Sequence, residues 1–130
     1  MKRHCRLLLL LPVFCWLLAA PVAAGPAMIV VTAEAPAATA TVSTVAARSP
    51  YLLFFDGQGH LLEALPNPQR EAGGNAGPAL VEFLAARGVQ LVIAGEFGNK
   101  MVAALQDRGI EYQLADGKAT AAVQAALAEQ

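Results

Sequence analysis

The stretch GPALVEFLAARGVQLVIAGEFGNKMVAALQDRGI, residues 77–110, decides the fold. It holds two successive units of one kind, a helical run stopped by glycine and a β-branched strand after it. Pro78 suits a first helical position, where its missing N–H has no helical partner to lose. Behind it Leu80, Phe83 and Leu84 are expected on one inward face, and Gly88 closes the helix as a C-terminal cap. Val89 to Ala94 reads as a strand. Gly95-Glu96-Phe97-Gly98 then leads to a second helix with Asn99 as N-cap, Met101, Val102 and Leu105 inward, and Gly109 as its stop. Ala86-Arg87-Gly88-Val89 and Asp107-Arg108-Gly109-Ile110 occupy the same place in the two units, as helix caps before β-branched residues do for local steric reasons.

Working outward, Ile110 to Leu114 is another strand and Ala119 to Ala128 a final helix carrying Val123 and Leu127. On the other side, Met28-Ile29-Val30-Val31 suits a buried central strand. Ala35 to Ala47, rich in Ala and Thr, reads as a loop or a poorly formed extended segment. Tyr51-Leu52-Leu53-Phe54-Phe55, the turn residues Asp56-Gly57-Gln58-Gly59 and the run Leu61 to Leu65 predict a hairpin. Pro66, Pro68 and Gly73-Gly74-Asn75-Ala76-Gly77 end its second arm and form a flexible connection. The order strand, strand, strand, helix, strand, helix, strand, helix implies an antiparallel front half, a parallel back half and helices covering the sheet.

With 130 residues the chain has room for one ordinary domain. Its 56% hydrophobic content overstates core volume, because 28 of those residues are alanine. Residues 1–24 read as an export signal: Lys2, Arg3 and Arg6 precede an apolar run from Leu7 to Leu18, and Val22-Ala23-Ala24 is a small-residue cleavage site. The apolar run is shorter than the ~20 residues that span hydrocarbon. A periplasmic or secreted protein beginning near Gly25, with no membrane span, is the expectation. Both cysteines, Cys5 and Cys15, would leave with the leader, which excludes disulfides, thiolate nucleophiles and Cys-ligated metals from the mature chain. Six basic against ten acidic side chains remain, a net charge that disfavours nucleic acid.

The run Arg48-Ser49-Pro50-Tyr51 through the Asp56-Gly57 turn, then Gly77-Pro78-Ala79, Phe83-Leu84, Gly88-Val89, Val92 to Gly98, Ala104-Leu105 and Gly109-Ile110 resembles the dinitrogenase iron-molybdenum cofactor biosynthesis domain. This is the NifX-like and NifB C-terminal-like family, and the likeness covers residues 27–128, with residues 25–130 as the domain. It implies an α/β, ribonuclease H-like three-layer fold with a five-stranded mixed sheet, helices on both faces and no nuclease activity. It further implies a non-catalytic carrier of an iron-molybdenum or iron-sulfur cluster.

Several groups are candidates for chemistry. The tract Gly73 to Gly77 and the loop Gly95 to Lys100 each precede a helix, and free N–H groups at helix starts favour anions. Asn75, Gly77, Gly98, Asn99 and Lys100 are therefore the candidate contacts for a small anionic ligand or metal cluster, although their glycine spacing matches no phosphate-binding fingerprint. His60 could ligate a metal only with carboxylate companions such as Asp56 or Glu63, and strand alternation sets Glu63 on the other face. A divalent-ion hydrolase would need Glu34, Asp56 and Asp116 to converge. No serine stands in a nucleophile motif. The expected function is thus an exported, non-catalytic binding protein. A periplasmic module docking on a protein partner without metal is the alternative.

Overall fold

The computed structural model describes residues 28–129. The leader expected over residues 1–24 and its cleavage site lie outside these residues. The chain forms β1 (Met28–Ala33), β2 (Tyr51–Phe55), β3 (Leu61–Pro66), α1 (Ala76–Ala86), β4 (Val89–Ala94), α2 (Asn99–Asp107), β5 (Glu111–Leu114) and α3 (Ala119–Ala128). A single 3-10 turn, Ala46–Arg48, precedes β2. The five strands make one sheet in the order β3-β2-β1-β4-β5. Pairing is antiparallel between β1 and β2 and between β2 and β3, and parallel between β1 and β4 and between β4 and β5. This is the mixed sheet that the order of elements and the family likeness imply.

Alternation along the strands divides the core into two layers. Val30, Leu52, Phe54 and Val92 pack with Leu80, Val81 and Leu84 of α1 and with Met101 and Leu105 of α2. Ile29, Val31, Leu53, Phe55 and Ile93 pack on the other face with Ala122, Val123 and Ala126 of α3. β1 is buried on both faces, which is why its sequence is a continuous apolar run and not an alternating one.

Three local expectations are corrected. The first helix starts at Ala76, so Pro78 is its third residue, a place equally free of any N–H requirement. The N-cap of α2 is Gly98, and Asn99 is the first helical residue. Phe83 is half-buried: the buried stripe of α1 runs through Ala76, Leu80, Val81 and Leu84, leaving Phe83 at its margin. There the Arg87 guanidinium lies over both Phe83 and Phe54, at 5.4 and 4.7 Å from the ring centres, and pairs with Glu63.

The segment Ala35 to Ala47 is a pinned strap. Its Ser43 N–H donates to the Thr32 carbonyl at 2.8 Å and Val42 N–H to Gly117 at 2.8 Å, while its carbonyl at Ser43 accepts Gly95 N–H at 2.9 Å. Its own Ala40, Val42, Ser43 and Ala46 are buried. Gly95 makes this approach possible, because a Cβ there would lie 2.8 Å from the Thr44 Cα. Among the described residues no helix is long and apolar enough to cross a membrane.

Candidate functional site

β1, β4 and β5 run in one direction, and α1, α2 and α3 return against them. All three helices therefore begin at the end of the sheet where the parallel strands finish, the usual place for ligands on such sheets. Asn75 brings the chain into α1 in a left-handed conformation, φ 52°, a geometry that asparagine tolerates better than most residues. The tract before it is tied down from β2's side: the Arg48 guanidinium donates to the carbonyls of Arg70 and Ala72, and buried Asn67 donates to the Ala47 carbonyl at 3.0 Å.

The first turns of α1 and α2 touch. A Cβ on Gly77 would fall 2.8 Å from the Met101 Cβ and 3.3 Å from its Cα. The first helical bond of α1 runs from Ala79 N–H to Asn75, and that of α2 from Val102 N–H to Gly98, both 3.0 Å. The amides ahead of them, those of Ala76 and Gly77 on one side and of Asn99, Lys100 and Met101 on the other, have no acceptor within their own helix. Neither first turn carries an acidic residue that would neutralise the positive helix end. Asn75, Gly98, Asn99 and Lys100 are exposed, Gly77 is half-buried, and Ala76 and Met101 are buried. The five expected anion contacts are thus brought to one end of the molecule, on two adjoining helix starts.

His60 lies at the opposite end. It follows the β2–β3 turn, beside the start of β1, with its side chain 71% exposed and Nδ1 at 3.3 Å from the Asp56 carboxylate. Asp56 also accepts the N–H groups of Gln58 and His60, both at 2.9 Å, which organises the turn. These bonds, led by that of the His60 N–H, hold the Asp56 carboxyl below the usual aspartate range. Glu63 is engaged with Arg87, so His60 has one carboxylate companion. Among the described residues no group of three or more His, Cys, Asp or Glu could hold a metal ion. The length of β1 separates Asp56 from Glu34, and Asp116 follows the far end of β5, so the three acids of the hydrolase alternative are not brought together.

A cavity that spacing alone did not reveal opens beside the helix starts. It has a volume of about 430 Å³ and is lined by Val42, Thr44, Gly95, Glu96, Leu114, Ala115 and Asp116. Asp116 reads locally as a turn residue before Gly117, and only the strap laid across Gly95 turns that corner into a cavity. Glu96, two residues before the N-cap Gly98, is among its lining residues. Next to it Phe97 packs edge-on against Tyr112, with ring centres 5.3 Å apart.

Comparison with known proteins places this arrangement. No curated protein matches the sequence significantly. Among solved structures, the apo form of the orange protein from Desulfovibrio gigas is 28% identical, covers 79% of this chain and 88% of its own, and superposes with a TM-score of 0.72. A Thermotoga protein of the DUF35 family, solved by NMR and described as NifB-like, is 25% identical, with 79% and 88% covered and a TM-score of 0.64. The protein PH0822, 19% identical with 79% and 92% covered and a TM-score of 0.65, shares the fold. The family model described as dinitrogenase iron-molybdenum cofactor matches residues 28–129, every residue whose structure is described here, and the chain belongs to that family.

Proposed function

We propose that this protein is a non-catalytic carrier that holds a metal cluster or a small metal oxyanion as cargo at the adjoining starts of α1 and α2. The observation that carries the reading is the contact of Gly77 with Met101, which sets two positive helix ends side by side with Lys100. Family membership supplies the class of cargo. Residues 28–129 contain no cysteine, and their single histidine is at the other end, so these residues do not fit coordination of a cluster through thiolates or imidazoles. They fit an anion held by amide hydrogen bonds and an ammonium group, at a site from which it can be passed on. Export through the leader at residues 1–24 would place that carrier in the periplasm or outside the cell.

Metal analysis of the protein purified from its native compartment, followed by calorimetric titration with molybdate, tests the reading. Saturable binding with one site is expected. Absence of co-purifying metal together with no heat on addition of molybdate or of an iron-sulfur species overturns it and favours the metal-free docking module.

A further inference from the structure

Strand β5 closes one side of the sheet, and among the described residues no strand lies beyond it. Its outward N–H and C=O groups present the pattern that one more strand completes. The side chains around it select what that strand can be. Glu111 and Glu129 line a cavity of about 330 Å³ with Leu91, Tyr112 and Ala126, and the Gln113 amide holds Glu129 there at 3.2 Å. At the other end of the strand Glu96 and Asp116 line the cavity of about 430 Å³ with Leu114. Each cavity therefore has two acidic residues in its lining together with apolar side chains. That combination fits a lysine or arginine side chain, whose methylene stem covers apolar surface while its cation meets the acid. Tyr112 and Leu114, 39% and 65% exposed, add apolar surface along the same edge.

The acids also discriminate between occupants. A second copy of β5 laid alongside would bring the same four carboxylates together, and like charges across a strand pair destabilise it. A segment of opposite charge gains where the copy loses. We infer that the open edge of β5 receives an extended basic segment of a partner protein, added as a sixth strand with basic side chains entering the two carboxylate-lined cavities. The first of these cavities lies along β5 away from the helix starts proposed to hold cargo, and the second adjoins the start of α2.

The test is an NMR titration of the isotope-labelled protein with a capped peptide of alternating lysine and valine. Shift changes are expected at Glu111 to Leu114, with binding weakened by added salt. Replacing two exposed carboxylates together, Glu111→Gln with Asp116→Asn, is expected to weaken binding roughly threefold to tenfold while thermal unfolding is unchanged. Equal binding of a matched peptide of alternating glutamate and valine overturns the inference. So do shift changes confined to β3 or to the start of α2, or a dimer that pairs through β5 without peptide.

Discussion

At Gly77 a Cβ would come within 2.8 Å of the Met101 Cβ and 3.3 Å of its Cα, atoms that cannot swing aside as a side-chain tip could. Gly77→Ala gains about 1 kcal/mol of helix propensity but forces the two helix starts apart, an overpacking that costs about 1–3 kcal/mol. Net destabilisation in urea unfolding and weaker molybdate binding are expected together; unchanged values of both would show that the contact is dispensable. Lys100 is exposed, so Lys100→Ala should leave stability within about 0.5 kcal/mol while weakening molybdate binding roughly threefold to tenfold. Matched losses in the two measurements would make it a structural lysine. Asp56 offers a pH test at the opposite end. Its carboxyl is depressed first by the His60 N–H, with partial desolvation opposing and the Gln58 N–H and His60 ring assisting. A depressed carboxyl contributes stability above its unfolded value and loses it as pH falls through the folded one. Asp56→Ala should therefore lower the melting temperature near neutrality, and the gap from the parent should close as pH drops below the ordinary value of 3.8.

Among the elements, α1 shows most directly what local pattern can and cannot specify. Its existence, its glycine stop at Gly88 and its approximate span follow from residues within one or two turns, as do those of α2 with its stop at Gly109, and the existence and span of α3 follow in the same way. Which side chains it buries depends on what packs against it. Leu80 and Leu84 are read correctly, but Phe83 shares its inward face with Arg87 at the margin, while Val81 is fully covered. Leu84→Ala is expected to cost about 2–5 kcal/mol, and Phe83→Ala roughly half of the 3–5 kcal/mol that a fully buried ring loses. Chemical unfolding of the two variants ranks them, and a larger loss at Phe83 would contradict the buried stripe. The strap from Ala35 to Ala47 was the hardest element to read for a related reason. Its hydrogen bonds go to Thr32, Gly95, Glu96 and Gly117, partners that its own alanines and threonines do not announce. The cavity that the strap completes was hidden with it. By contrast, the placement of Asn75, Gly77, Gly98, Asn99 and Lys100 at one end was readable, because helices that return between parallel strands must begin where those strands finish.

Taken as a whole, the molecule is polarised along its strands. One end gathers the strap, the finishing ends of β1, β4 and β5 and the starts of three helices; the other carries the β2–β3 turn with Asp56 and His60. A ligand bound only to the folded protein stabilises it by about 2.7 kcal/mol at a hundred times its Kd, and hydrogen exchange localises where that stabilisation acts. In the free protein the slowest exchange is expected in β1 and β4, which are central and buried, and faster exchange in the edge strands β3 and β5. Adding molybdate should slow exchange in the first turns of α1 and α2 and leave the turn from Asp56 to His60 as it was. Protection appearing at that turn instead would move the cargo to the histidine end, away from the helix starts and Lys100.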